Sequence, residues 1–255
     1  MNRFTDKAVL ITGGNSGIGR ATALAFAAEG ASVMVAARDR ARSQAVVDEV
    51  TAAGGAAAAV ACDVTLATDA EAAVSSTVEA FGALDVVFNN AGIVYRDQTV
   101  TETTEAEWNN TFSVNVNGTF FISRAALPIM IERGGGVIVN NASYFGLVGG
   151  RGAAAYSASK GAVVLLTKSM ALDHAADGVR VNCVCAGSVD TPMLAEEMEA
   201  MGGSDAVRHM FESKHPLGRI ASPNEIAAAV LFLASDDAGF ITGAALPIDG
   251  GITAG

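Results

Sequence analysis

Thr12-Gly13-Gly14-Asn15-Ser16-Gly17-Ile18-Gly19 lies between the apolar run Ala8–Thr12 and an alanine-rich segment that opens at Gly17. The reading of the chain turns on that stretch. A glycine-rich turn from a strand into a helix lets the backbone approach a pyrophosphate. The helix's unsatisfied amides and its dipole then hold the charge. The glycines follow G-x-x-x-G-x-G rather than G-x-G-x-x-G. Glycine clusters are common in turns, so the position directly after the first strand carries the weight. Gly13, Asn15, Ser16, Gly17, Ile18 and Gly19 are therefore candidate cofactor-binding residues.

Outward from this turn, short apolar runs alternate with helical patterns. The runs Ala8–Thr12, Ser32–Ala37, Ala58–Ala61, Leu84–Asn89, Gly136–Asn141, Arg180–Cys185 and Ala244–Ile248 read as strands buried on both faces. Helices are predicted over Gly17–Glu29, Arg40–Ala53, Asp69–Phe81, Glu105–Arg133, Ala154–Ala176 and Pro223–Leu233. Thr68–Glu71 and Thr104–Glu107 match a capping box, and Ser222-Pro223-Asn224-Glu225 adds proline at the first helical position. Gly30 and Gly178 follow helical stretches as left-handed terminators. The alternation predicts an α/β fold: a doubly wound, Rossmann-type parallel sheet of about seven strands with helices on both faces. No linker or composition shift divides the chain, so residues 1–255 are expected to form a single domain. Asp190–His215, with Glu196, Glu197 and Glu199 among several methionines, breaks the rhythm and is expected to be a mobile substrate flap at 190–215.

Composition narrows the function classes. The 255 residues are 51% hydrophobic and carry a net charge of −11, which opposes binding to nucleic acid or to an anionic membrane. The N-terminus has no signal-peptide pattern, and no apolar run reaches the roughly 20 residues of a spanning helix, so a cytoplasmic location is expected. Cys62, Cys183 and Cys185 are an odd count without a secretory signal, which predicts reduced thiols. The C-x-C pair falls in a strand and reads as small buried hydrophobes; with no ligand spacing among His174, His209 and His215, no metal is expected.

The end of the second strand reads Val33-Met34-Val35-Ala36-Ala37-Arg38-Asp39. An acidic residue there would hydrogen-bond the ribose hydroxyls of NAD, whereas arginine accommodates the extra phosphate of NADP. Apolar Ala37 followed by Arg38 favours NADP(H), with NAD(H) as the alternative.

Tyr156 and Lys160 are four residues apart in a predicted helix and so share a face. A nearby ammonium stabilises a phenolate and brings an ordinarily unreactive phenol, with a pKa of about 10, closer to use as an acid–base group. Ser143, just after the fifth predicted strand, could hold a substrate oxygen beside it.

With these residues in place, the chain resembles the short-chain dehydrogenase/reductase family in its compact form. The likeness covers nearly the whole chain: Thr12–Gly19, Asp63-Val64, Asn89-Asn90-Ala91-Gly92, Val114-Asn115, Ser143, Tyr156–Lys160, Gly187–Pro192 and Gly250-Gly251. The resemblance implies that Tyr156 is the acid/base and that Ser143 polarises the carbonyl. It makes Lys160 the residue that binds the nicotinamide ribose and lowers the tyrosine pKa. Asn115 would kink its helix and hold a water leading from Lys160 to solvent. Asp63 and Val64 would meet adenine, Asn90, Ala91 and Gly92 would line the cofactor, and Gly187, Val189 and Thr191 would lie towards the nicotinamide. Ala186 stands where the family commonly has proline, which would loosen the loop at Gly187.

The implied activity is reversible hydride transfer, from the B face of the nicotinamide, between NAD(P)(H) and a small, moderately hydrophobic ketone or secondary alcohol. Ile93, Val94, Tyr95, Tyr144, Phe145, Leu147 and Met193 are the candidate pocket residues. A homotetramer is implied, with interfaces from Thr104–Arg133, Ala154–Ala176 and the C-terminal segment. Two alternatives stand beside it. One is a 3-oxoacyl-carrier-protein reductase, disfavoured because Gly134 and Asp177 stand where entrance basic residues are expected. The other is a non-catalytic dinucleotide-binding regulator, disfavoured by the complete Ser143, Tyr156 and Lys160 set.

Overall fold

The computed structural model describes residues 2–255. Its seven strands form one sheet in the order β3-β2-β1-β4-β5-β6-β7. They are β1 (Ala8–Thr12), β2 (Ser32–Ala37), β3 (Ala56–Ala61), β4 (Val86–Asn89), β5 (Gly136–Asn141), β6 (Val179–Ala186) and β7 (Ala245–Ile248), and every neighbouring pair is parallel. The helices are α1 (Gly17–Ala28), α2 (Arg40–Ala52), α3 (Ala67–Phe81), α4 (Glu105–Phe112), α5 (Gly118–Glu132), α6 (Ala154–His174), α7 (Pro192–Ala200), α8 (Asp205–Glu212) and α9 (Pro223–Ala234).

Alternation along each strand divides the core. Val9, Ile11, Val33, Val35, Phe88 and Val139 feed one apolar cluster with Phe26 of α1 and Ile226 and Val230 of α9. Leu10, Met34, Val87 and Ile138 feed the other, with Val74 of α3 and Ile122, Ala126 and Met130 of α5. Because side chains alternate across the pleat, each inner strand anchors helices on both faces. β3 departs from the expectation of full burial. It is an edge strand with Ala56 and Ala59 exposed, and its alanine-rich sequence reflects a surface with little to cover.

The order in which strands join the sheet reverses between β1 and β4, which lie side by side. Their C-terminal ends open a crevice, the usual ligand site in such sheets. Asn90 staples it shut from behind. Its amide donates to Thr12 Oγ1 (2.9 Å), its Nδ2 donates to the Thr12 carbonyl (3.0 Å), and its Oδ1 accepts from Asn141 Nδ2 (3.0 Å).

Three local expectations need correction. The capping box at Thr68 does not form; α3 starts at Ala67 behind Leu66. The preceding turn is set by Asp63, whose Oδ1 accepts from the Thr65 amide and hydroxyl, and Asp69 accepts from the Asp63 amide instead (3.0 Å). The boxes at Thr104 and Ser222 do form. The predicted helix over Glu105–Arg133 is interrupted by a π-helical turn, Ser113–Asn117. Finally, Glu105–Glu132 is long and apolar enough, by length and mean hydropathy, to cross a membrane. Its Ile122, Ala126 and Met130 are buried against the sheet.

Candidate active site

Two clefts meet along the crevice and share Gly13, Ser16, Ala91 and Gly92. One runs outward past Asn15, Arg38, Arg42, Asp63 and Val64. The other runs inward past Ser143, Tyr156, Lys160, Gly187, Val189 and Thr191. Together they bring all the predicted cofactor residues to one groove except Gly19, which lies behind it.

The glycine turn is shaped for an anion. Gly13 and Gly17 hold left-handed φ values of +60° and +49°. A Cβ on Gly19 would run into the Gly13 carbonyl, and one on Gly17 would lie 3.0 Å from Thr191 Cγ2. Ser16 is the N-cap of α1 but makes no side-chain capping bond, so the first-turn amides remain unsatisfied at the groove. These residues fit the pyrophosphate of a dinucleotide.

At the outer end, Asp39 is committed to capping α2: it accepts from the Arg42 amide (3.0 Å) and pairs with the Arg42 guanidinium (3.4 Å). Its backbone amide follows Arg38, which faces the same cleft as Asp63. The hydrogen bond from the Thr65 amide, partly opposed by burial, holds the Asp63 carboxyl below its usual range, with help from the Thr65 hydroxyl and Arg38.

At the inner end, Lys160 is buried and donates from Nζ to the Asn141 carbonyl (2.6 Å). Burial lowers its pKa to about 8. The ammonium lies 5.7 Å from the Tyr156 ring centroid. Tyr156 retains some exposed surface towards the cleft, yet burial is the leading influence on its phenol and raises its pKa. Arg96 acts most strongly in the opposite sense, followed by the Ser143 hydroxyl. Arg96 is thus a second cation, beside Lys160, that stands close to the phenol and favours its ionised form.

Arg96 was not anticipated. Its Nε stands 2.9 Å from Glu197 Oε1, with poor alignment for a hydrogen bond, so the contact is an ion pair. Its guanidinium lies over Phe145 (5.0 Å to the centroid) and near Tyr156 (6.0 Å). The available signal was a charged residue four positions after Gly92, in an otherwise apolar stretch.

Asn115 is buried within the π turn. Its Oδ1 accepts from the Ile93 amide (2.8 Å), and its Nδ2 donates to the Ile93 carbonyl (3.0 Å) and to Ser159 Oγ (3.0 Å). A Cβ on Gly92 would lie 3.3 Å from Asn115 Oδ1 and 3.5 Å from Lys160 Nζ, so the three meet behind the cleft. Of the seven candidate pocket residues, Tyr144 and Met193 line the inner cleft and Ile93 lines the outer one. Tyr95 instead accepts a hydrogen bond from Asn110 (2.9 Å).

The loop after Ala186 is held despite the missing proline. Gly187 donates to the Ile248 carbonyl (3.0 Å), and the Ser188 amide donates to His215 Nε2 (3.0 Å). His215 Nδ1 pairs with the Phe211 carbonyl (2.9 Å), which assigns its proton to Nδ1. Gly134 and Asp177 precede β5 and β6, so within the chain they lie at the N-terminal end of the strands, opposite the end that carries Ser143. Cys183 and Cys185 are buried, free thiols packed with Ala142 and Val163.

A family model described as "Enoyl-(Acyl carrier protein) reductase" matches residues 13–253. The chain is 42% identical over 252 residues to the cyclohexanol dehydrogenase of Acinetobacter sp. (strain SE19), covering 99% of this chain and 97% of that enzyme. It is 45% identical over 254 residues to the meso-2,3-butanediol dehydrogenase of Serratia marcescens, covering 99% and 96%.

The chain belongs to the short-chain dehydrogenase/reductase family.

Its structure superposes on levodione reductase with a TM-score of 0.94 at 38% identity, covering 98% of this chain and 99% of that one. As a short-chain dehydrogenase/reductase, it is an NAD(P)-dependent oxidoreductase that acts on CH–OH and C=O groups.

Proposed function

We propose that this short-chain dehydrogenase/reductase interconverts a small ketone and its secondary alcohol with Tyr156 as the acid/base, and that it prefers NADP(H). The observation that carries the reading is Ser143 and Tyr156 converging at the inner end of a groove whose other end begins at the glycine turn.

When bound, the nicotinamide supplies or takes the hydride at the substrate carbon. Ser143 donates a hydrogen bond to the substrate oxygen and orients it. Tyr156 donates its phenolic proton as the oxygen becomes an alkoxide, and takes it back in oxidation. Lys160 binds the ribose and, once there, adds its charge to that of Arg96 in favouring the phenolate. Asn115 fixes the backbone of Ile93 and holds the water that connects Lys160 to solvent. Asn90, Ala91, Gly92, Val189 and Thr191 form the cofactor-lining walls, with Asp63 and Val64 beside adenine.

NADP(H) preference rests on Arg38 at the outer cleft; Asp39 lines that cleft too, but its carboxylate caps α2 and pairs with Arg42. Wild-type kcat/KM should be at least about tenfold higher with NADPH than with NADH, and Arg38→Ala should erase most of that difference. A preference for NADH overturns the assignment. The remainder of the reading is a cytoplasmic homotetramer of single-domain subunits in which residues 190–215 close over the substrate. Leu194 and Phe211 of that segment form a small separate core with Ile220, just beyond it, as a semi-independent lid would need.

A further inference from the structure

The inner cleft contains a charge pair that transfer between a nicotinamide and a simple ketone does not require. Arg96 and Glu197 both line it, with side chains 23% and 12% exposed. Arg96 Nε faces Glu197 at 2.9 Å, and the guanidinium also acts on the Tyr144 hydroxyl, which lines the same cleft. The position of Arg96 is built in. Asp97, next in the chain, has a φ of +61°. A Cβ on Gly152 would lie 3.1 Å from the Asp97 Cα, and the Gln98 amide donates to the Gly152 carbonyl (3.2 Å). Aspartate tolerates this left-handed conformation better than most residues. The chain thus bends sharply just after Arg96 while its guanidinium rests over Phe145 and near Tyr156.

We propose that Arg96, braced by Glu197, hydrogen-bonds a second, neutral oxygen of the substrate near the reacting carbon, making hydroxyketones, diketones and diols the preferred substrate class. This inference rests on the oxidoreductase reading above. A partly desolvated guanidinium that faces the cleft favours a ligand that offers it an acceptor over one that does not. Glu197 neutralises the pair, and its carboxylate would repel an anionic ligand in a partly desolvated cleft. Burial raises the Glu197 pKa while Arg96 and then Lys214 lower it, consistent with a partner held deep in the pocket. A neutral oxygen satisfies the arginine without opposing the glutamate.

The test uses butanone, acetoin and α-ketobutyrate, three four-carbon ketones, with NADPH. Wild type should reduce acetoin with kcat/KM at least about tenfold above butanone, with α-ketobutyrate below acetoin. Arg96→Met should bring the acetoin-to-butanone ratio to within about threefold of unity while moving the basic limb of the pH profile to higher pH, because Arg96 favours the phenolate. If that variant does not fold, Glu197→Gln serves instead: it leaves the cation uncompensated and should raise α-ketobutyrate relative to acetoin. A ratio unchanged in Arg96→Met, no gain for α-ketobutyrate in Glu197→Gln, or a wild type that prefers the keto acid overturns the proposal. Equal use of butanone and acetoin by wild type sinks this inference alone. Failure to reduce any ketone with either cofactor sinks the oxidoreductase reading and this one with it.

Discussion

Lys160 carries an ammonium into a site where burial disfavours charge, and the resulting fall in pKa from 10.5 to about 8 is a stability statement. Below about 8 both folded and unfolded chains hold the proton, and the folded state carries the whole desolvation cost, on the order of 3 kcal/mol. Between about 8 and 10.5 the folded lysine releases its proton while the unfolded one keeps it, so this contribution to stability improves as pH rises. Lys160→Met should therefore be favoured over wild type in thermal stability at pH 6, relative to their difference at pH 10, in the absence of cofactor. It should lose turnover by about two to three orders of magnitude. A stability difference that does not vary with pH over this range would refute the buried-ammonium description. The spacing of Tyr156 and Lys160 was legible in the sequence because four residues make about one helical turn. Arg96 was not, because its approach to Tyr156 depends on contacts with Glu197 and Phe145 from elements distant in sequence.

At the scale of elements, most of the fold was legible because each buried strand is a short apolar run and several helices announce their starts. Ends were harder to read. Thr68 has the residues of a capping box, but the turn made by Asp63 and Thr65 starts α3 earlier, which no local pattern reveals. The π turn is a further case: Ser113–Asn117 has no breaker such as proline, and the extra residue is stabilised by Asn115 reaching Ile93 and Ser159. Asn115→Ala would leave the part-buried Ile93 amide and carbonyl without these partners, at a cost of about 1–3 kcal/mol in chemical denaturation. A loss below about 0.5 kcal/mol would show that the asparagine does not hold the turn.

On the scale of the molecule, the acidic surface has apolar interruptions. Leu165 and Leu172, one α6 face apart by seven residues, are 65% and 83% exposed, and Trp108 and Phe120 are also exposed. Exposed apolar side chains on α4, α5 and α6 are what an assembly interface would cover. The chain of 25.8 kDa should run as a tetramer by light scattering, and Leu172→Glu should shift it towards smaller species. A monomeric wild type at micromolar concentration would contradict the assembly. The sequence likeness alone implied this association; individual leucines were not distinguishable from core residues until the helix faces were placed.

The most direct test of Tyr156 as the proton donor replaces it by Phe and follows ketone reduction alongside NADPH binding by fluorescence. Turnover should fall by about three orders of magnitude or more, with cofactor affinity within about threefold of wild type. Substantial ketone reduction by a folded Tyr156→Phe protein would mean that the proton comes from elsewhere.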